Sequence, residues 1–301
     1  MQTTYESGVK RRLADLPLEV REDAPRDPVT GDVLTQVTME LARMVSPLGR
    51  TSSRRRIEEI QGIAGSLLHR IEDLIAAHQI NPWTRVRLSP DDPPVPLLPR
   101  AARIGVFPLS ANPLHWGHLL SGLAVMAQAR LDKIVYIVAL DSPQSEDLYP
   151  EEMRREAAAE AIALFQPLFV LAPGSAAKTL SGPLSFFRFL GLNGQQRLEA
   201  VYISGHECST STSMRETLDA LQNNGAAHNE RMHTTAVAHL EPNAASKPAS
   251  PDRRALAFPS PLPAASAVGI RAALRSPVHR DELAFLPACV FRHLRVLSAF
   301  D

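Results

Sequence analysis

Short apolar segments alternate with helical segments after residue 100, and this alternation leaves few architectures open to the chain. A short apolar run bounded by turn residues is typical of a buried strand, whereas apolar residues three and four apart are typical of a helix. Strands that alternate with helices favour a parallel sheet with helices on its faces, so we predict the α/β class. The predicted strands are 103–107, 133–139, 168–171 and 200–204. The predicted helices are 117–130, 151–165, 211–222, 266–275 and 281–297, the last interrupted by Pro287.

The segment before this pattern has a different character. Residues 32–78 carry apolar side chains at helical spacing, whereas 88–100 holds five prolines. Proline blocks a helix and removes the N–H group that a central strand needs, so 88–100 is interpreted as a stiff linker. We predict a mainly helical N-terminal region over 1–87 and an α/β domain over 101–301. Within that domain, the proline-rich stretch 241–263 is interpreted as a flexible loop.

The charge balance excludes some functions. The 301 residues include 32 basic and 32 acidic side chains, so the formal net charge is zero. A protein that wraps nucleic acid or coats an anionic membrane needs a surplus of positive charge, and we expect neither partner here. No apolar run is long enough to span a membrane, and the first residues lack the apolar stretch of a secretory signal, so we expect a cytoplasmic protein. The two cysteines show no zinc-binding spacing, and no metal ligands are predicted.

Residues 103–125 contain the strongest functional signal. An apolar strand runs into a loop and then into a helix that begins near Gly117, with His115 and His118 on either side of it. The free N–H groups and the positive dipole at a helix N-terminus form an anion site, to which two imidazoles can add hydrogen bonds. Two alternatives stay open: the histidines hold no ligand, or they bind a metal with a third ligand from elsewhere.

The segment VFPLSANPLHWGH resembles the signature of the HxGH-type nucleotidyltransferases, which include the nicotinate and nicotinamide mononucleotide adenylyltransferases. The positions that match this signature are Phe107, Pro108, Ser110, Asn112, Pro113, His115, Gly117 and His118. Leu109 stands where the family usually has glycine, and Ala111 where it usually has phenylalanine. The leucine is the larger change, because it resists positive φ and fills space near the nucleotide.

Three further segments resemble the same family. AASAVGIRAAL resembles the helix start that holds the ATP phosphates, with Ser266, Ile270 and Arg271 in matching places. Ala267 and Val268 replace two hydroxyl residues of that motif, and each lost hydrogen bond costs about 0.5–1.5 kcal/mol. VYISGHE resembles the turn that shapes the acceptor pocket, through Gly205 and Glu207. On the helix after the second strand, Arg154 or Arg155 can serve as the arginine that the family carries there, and Arg154 is taken as part of the expected acceptor site. LPACVFRHL resembles the packing helix that closes the family's domain.

The resemblance implies a Rossmann-like parallel sheet and an adenylyl transfer from ATP, with Mg²⁺, to a small phosphorylated acceptor. His115 and His118 would be the catalytic residues. Phe107, Pro108, Ser110, Asn112, Gly117, Ser266, Ile270 and Arg271 would bind ATP. Nicotinate or nicotinamide mononucleotide is the favoured acceptor; phosphopantetheine is an alternative. An alternative function is that of a nucleotide-binding or regulatory protein with weak catalysis. The altered motifs favour it, and so does the absence of the lysine that the family carries after the second strand. Class I aminoacyl-tRNA synthetases are disfavoured, because there is no basic surplus for tRNA. A homo-oligomer stays open.

Overall fold

A six-stranded parallel sheet forms the centre of the protein in a computed structural model that describes residues 29–48, 51–95, 100–139, 148–174, 189, 191–193, 198–205, 236–241 and 255–297. The strands are β1 (Ala102–Leu109), β2 (Lys133–Val138), β3 (Phe169–Leu171), β4 (Leu198–Gly205), β5 (Ala236–Glu241) and β6 (Ala255–Pro259). Their order is β3-β2-β1-β4-β5-β6, and every neighbouring pair is parallel. The order reverses between β1 and β4, and in such a sheet ligands bind in the crevice beyond the carboxyl ends of the strands at that point. The predicted Rossmann-like α/β fold is therefore confirmed.

The helices are numbered in chain order. They are α1 (Val29–Leu48), α2 (Thr51–Ala76), α3 (Trp116–Ala129), α4 (Glu151–Ala163), α5 (Ala267–Arg275), a 3₁₀ helix (Pro277–Phe285) and α6 (Ala288–Leu297). The predicted last helix is thus divided at Pro287, because proline cannot continue a helix from the preceding turn but is tolerated at its start. Among the described residues, no helix has the length and apolar content that crossing a membrane requires.

The central strands are buried on both faces, which explains their continuous apolar sequences. On one face, Phe107 and Tyr136 belong to a core that also contains side chains of α1, α2, α3, α4 and α5. On the other face, Val106 and Ile137 belong to a second core, against which Val86 and Leu88 pack. Alternate residues of each strand therefore contribute to opposite layers.

Helix α3 lies unusually close to β2. A Cβ atom added to Gly122 would come within 2.1 Å of the Tyr136 hydroxyl oxygen and 3.0 Å of Phe169 Cζ. The same hydroxyl donates a hydrogen bond to the carbonyl oxygen of His118, at 3.2 Å. The glycine thus allows the helix that carries the histidines to rest directly on the sheet.

The two N-terminal helices share the apolar core of the α/β part. Helix α2 packs against α3 and the 3₁₀ helix, and the hydroxyls of Ser52 and Ser53 donate hydrogen bonds to the carboxylate of Asp281 at 2.7 and 2.9 Å. From α1, the buried carboxylate of Glu40 accepts a 2.9 Å hydrogen bond from the backbone N–H of Cys289, in the first turn of α6. The division of the chain at residue 87 stays a prediction, while these contacts join its two sides.

The segment around residue 81 is fixed at the amino end of β2. The buried carboxylate of Asp132 accepts hydrogen bonds from the N–H of Asn81 (2.7 Å) and from the N–H of Arg103 (3.0 Å). The Lys133 ammonium donates to the carbonyls of Pro82 (3.0 Å) and Pro167 (2.8 Å). Burial lowers the pKa of this lysine to about 8, an effect that neighbouring Asp132 opposes. The predicted linker therefore follows a segment that is fixed to the sheet.

One part of the predicted loop 241–263 is wrong. Residues Ala255–Pro259 form β6, the edge strand that pairs with β5, and β5 itself was not predicted. Pro259 is compatible with this position, because an edge strand has N–H groups that need no partner in the sheet. The predicted helix 211–222 lies outside the described residues.

Candidate functional site

The candidate site lies at the carboxyl end of β1, beside the point where the strand order reverses. The chain leaves the strand, passes through 110–114 and enters α3, for which His115 is the N-cap residue, with extended φ and ψ of −142° and 169°. The first N–H groups of a helix have no partner within the helix and point out of its end. The sequence therefore folds locally as predicted, with a helix N-terminus placed at the edge where a ligand would bind.

The two histidines form a stacked pair at this helix start. Their ring centroids are 3.8 Å apart with an interplanar angle of 31°, and the edge of Phe107 contacts the His118 ring, with ring centroids 6.4 Å apart. The backbone N–H of His115 lies 3.4 Å from Nδ1 of His118, which acts as acceptor. In a neutral imidazole the other nitrogen then carries the proton, so Nε2–H of His118 is available as a donor. Nδ1 of His115 is buried without a hydrogen-bond partner.

Both imidazoles are held in the neutral form. Burial lowers the pKa of His118 to about 4. Burial is the main cause that holds the pKa of His115 well below its ordinary value of 6.5, and the charge of His118 is the second cause. Desolvation favours the uncharged form of a base, and two bases this close cannot both be protonated without repulsion. The histidine pair therefore carries no imidazolium charge at neutral pH.

Gly117 brings two distant segments together. A Cβ atom at this position would lie 2.9 Å from Cβ of Ala265 and 2.9 Å from both Cε1 and Nδ1 of His115. Such distances are far shorter than ordinary van der Waals contact, so a larger residue would displace the imidazole or separate the segments. The neighbour across this close contact, Ala265, is the residue that leads into α5.

Helix α5 contributes the second half of the site. Ser266 is its N-cap, and its hydroxyl accepts a 3.4 Å hydrogen bond from the N–H of Gly269. Ile270 is fully buried and anchors the helix in the core. Arg271 extends to the first motif, where its Nη1 donates a 2.7 Å hydrogen bond to the carbonyl of Asn112, a residue 159 positions earlier. The two motifs that the sequence linked only by resemblance are thus in direct contact.

Leu109 and Ala111, which differ from the family signature, have backbone conformations other than those we expected. Leu109 ends β1 in extended backbone, paired with Val138, so it needs no positive φ. The residue with left-handed backbone is Ala111, at φ of 49°. A buried alanine tolerates that conformation at a cost of about 1–2 kcal/mol, and the strain expected at Leu109 does not arise.

The other predicted ATP contacts surround the same loop. Pro108 lies in β1, opposite Ile137 of β2. The Ser110 carbonyl accepts a hydrogen bond from Arg154. The Asn112 side chain is buried, and its Oδ1 accepts a 3.0 Å hydrogen bond from the N–H of Tyr149.

Two of the three predicted acceptor residues, Gly205 and Arg154, lie within the part of the chain that the structure describes. Gly205 ends β4, next to β1 in the sheet, whereas Glu207 lies outside the described residues. Arg154 is only 3% exposed and binds backbone carbonyls near β1 and β2. Sequence reasoning missed Tyr136, which donates a hydrogen bond to α3, and Tyr149, which donates one to the site loop. Neither contact leaves a signal in the local sequence pattern.

The described part of the chain contains no group of three or more His, Cys, Asp or Glu side chains that could hold a metal ion. Metal binding by the histidine pair therefore finds no third ligand among those residues. Comparison with models of known protein families and with curated protein sequences gave no match to this chain. We therefore infer function from the geometry and from the motifs themselves.

Proposed function

We propose that this protein transfers the adenylyl group of ATP to nicotinate or nicotinamide mononucleotide and releases pyrophosphate. The observation that carries the proposal is the contact between Arg271 and the Asn112 carbonyl. This contact puts a guanidinium from α5 beside the loop that leads into α3, so that one cation lies close to the N-terminal end of that helix. That combination is suited to a polyphosphate.

In this proposal, an oxygen of the acceptor phosphate attacks the α-phosphorus of ATP in line, and the bond from that phosphorus to the pyrophosphate oxygen breaks. Catalysis then consists of positioning and charge stabilisation, without a covalent intermediate. Nε2–H of His118 would donate to the α-phosphate, His115 and the N–H groups near Gly117 would orient the phosphates, and Arg271 would hold the leaving pyrophosphate. Mg²⁺ would enter as part of the substrate, bound to the ATP phosphates.

The neutral histidine pair supports a phosphate-binding role for the two imidazoles rather than a structural role. A buried Nδ1 without a partner is costly in a folded protein, by about 1–3 kcal/mol. A bound phosphate would offer His115 an acceptor and would favour protonation of the pair by its negative charge. Binding should therefore take up protons at pH values above about 4, the pKa of His118 without ligand, which calorimetry in buffers of different ionisation enthalpy measures.

The decisive assay is pyrophosphate release from ATP and Mg²⁺ with nicotinate mononucleotide, nicotinamide mononucleotide or phosphopantetheine as acceptor. We expect release with a mononucleotide in the wild type and none in His118→Ala. The matched control is His69→Ala, which removes an exposed histidine of α2 and should leave the rate unchanged. Release with phosphopantetheine alone would replace the proposed acceptor, and no binding of ATP would refute the nucleotide assignment. The substrates are cytoplasmic metabolites in this proposal, and we place the reaction there.

A nucleotide-binding protein without strong catalysis is the second candidate, and one observation favours it. Val268, in the first turn of α5, is 65% exposed beside Ser266, where relatives would place a hydroxyl for the phosphates. ATP binding without release of pyrophosphate would select this candidate. Val268→Thr distinguishes the two further, because a restored hydroxyl should strengthen ATP binding by up to about ten-fold.

A further inference from the structure

Arg154 is a buried cation that contacts the loop between β1 and α3, and its hydrogen bonds define what it does. Its Nη1 donates to the carbonyls of Ser110 and Ala139, the latter at 2.8 Å, and its Nε donates to the carbonyl of Tyr149 at 2.9 Å. The first two carbonyls directly follow β1 and β2, and the third precedes α4. One guanidinium therefore joins three chain segments at the carboxyl edge of the sheet.

These contacts continue into the candidate site. Tyr149, whose carbonyl Arg154 binds, donates its own N–H to Oδ1 of Asn112. Asn112 in turn accepts a hydrogen bond from Arg271 through its carbonyl. The loop 110–113 is thus held from one side by Arg154, directly and through Tyr149, and from the other side by Arg271. Residue 115, the N-cap of α3, follows this loop by two positions, so its placement depends on the same contacts.

We infer that Arg154 is a positioning residue, which fixes the loop before His115 so that the two imidazoles and the α3 N-terminus meet the ATP phosphates, rather than a ligand of the acceptor. This inference rests on the proposed function and replaces the acceptor role that the sequence suggested for Arg154. Three of the five N–H groups of an arginine side chain are engaged with backbone carbonyls here, and the residue is 3% exposed. A phosphate would have to displace those carbonyls to reach Nη1 or Nε.

The two roles differ in what they require of the side chain. Binding an acceptor phosphate needs a positive charge, which lysine also supplies. Joining three carbonyls needs donors that diverge from one planar group, which lysine reproduces only in part and methionine not at all. The series arginine, lysine, methionine therefore separates the roles at nearly constant side-chain length.

The test measures kcat, the KM for nicotinate mononucleotide and the Kd for MgATP in Arg154→Met and Arg154→Lys. A displacement of catalytic groups by about 1 Å costs about 100-fold in rate, so we expect kcat of Arg154→Met to fall by about 100-fold. We expect its MgATP Kd to rise by about ten-fold, equivalent to about 1.4 kcal/mol, and the KM for the mononucleotide to change by less than about three-fold. Arg154→Lys should recover part of the kcat. A rise in mononucleotide KM with unchanged kcat and MgATP Kd, or full activity of Arg154→Lys, would overturn the inference.

A second measurement keeps this test separate from the proposed function. The imidazole proton signals of His115 and His118 in the ligand-free protein should shift in Arg154→Met, because their loop is displaced. The control is Arg292→Met, which removes the exposed ion pair of Arg292 with Glu160 on the same helix α4 and should leave those signals in place. If no acceptor is adenylylated, the proposed function fails, and the histidine signals still decide the role of Arg154. Unchanged signals in Arg154→Met would refute it.

Discussion

Protonation of His118 should destabilise the folded protein at mildly acidic pH. Burial lowers the pKa of His118 to about 4, whereas an unfolded histidine titrates near 6.5. The unfolded state therefore binds more protons between these values, and the free energy of unfolding must fall as the pH falls from about 6.5 towards about 4. Well above pH 6.5 His118 is neutral in both states, so it causes no loss of stability there.

The size of this effect follows from the two pKa values. At pH 5 the unfolded imidazole is almost fully protonated, while the folded one is about one-tenth protonated. The linkage relation then gives a loss of about 2 kcal/mol between pH 7 and pH 5 from this one residue. His115, whose pKa is also lowered, adds a loss of the same sign.

His118→Asn isolates the effect, because the asparagine Oδ1 can replace Nδ1 as the acceptor of the His115 N–H but does not titrate. Urea unfolding at pH 7 and pH 5 gives the free energy for both proteins. Relative to the wild type, His118→Asn should gain about 2 kcal/mol on acidification. The control is His69→Asn, on the exposed face of α2, which should follow the wild type. An equal loss of stability in wild type and His118→Asn would show that the imidazole is not held neutral by burial, and would refute the reasoning.

Two further predictions, at Gly122 and at Glu40, test the packing of the fold. Gly122→Ala should cost about 1–3 kcal/mol, because its Cβ would lie 2.1 Å from the Tyr136 hydroxyl; Tyr136→Phe should remove much of that cost in the double variant. Gly62→Ala, with open space around the new methyl, should instead stabilise by about 0.5–1 kcal/mol, and an equal response of the two glycines in urea unfolding would contradict the close packing. Glu40→Ala should cost about 2 kcal/mol, because it leaves the Cys289 N–H without its carboxylate, and thermal unfolding measures this loss. A change within about 0.5 kcal/mol of zero, the range of ordinary surface substitutions, would show that the carboxylate does not cap α6.

Local patterns predicted those parts of the fold that local energetics decide. The strand over 103–107 and the helix after it are encoded by an apolar run and by a helix start in adjacent residues, and both form within three residues of the expected bounds. Strand β5 is not predictable in this way, because Ala236–Glu241 contains mostly small or polar residues and pairs with β4 through its backbone. The same holds for β6, whose proline suggested a loop.

The same distinction between local sequence and the whole fold applies to the candidate site. The positions of His115, Gly117 and His118 relative to the helix start follow from their spacing. The contacts of Arg154 do not, because a guanidinium at the end of a flexible side chain can bind a phosphate or a carbonyl, and only the fold decides which group lies within reach. The contact of Arg271 with Asn112 spans 159 positions and was accessible to sequence reasoning only through resemblance.

The neutral charge of the chain is consistent with a phosphate site of this construction. Its donors are backbone N–H groups at two helix starts, two imidazoles that are neutral until an anion arrives, and a guanidinium that is partly engaged with the Asn112 carbonyl. Such a site gains its positive potential mainly from dipoles and from protons taken up on binding, so it needs no surplus of lysine. It follows that ATP affinity should weaken as the pH rises above about 4, the pKa of His118 without ligand, and should level off once the bound pair is also neutral, whereas a site built on arginine and lysine alone would show no such dependence.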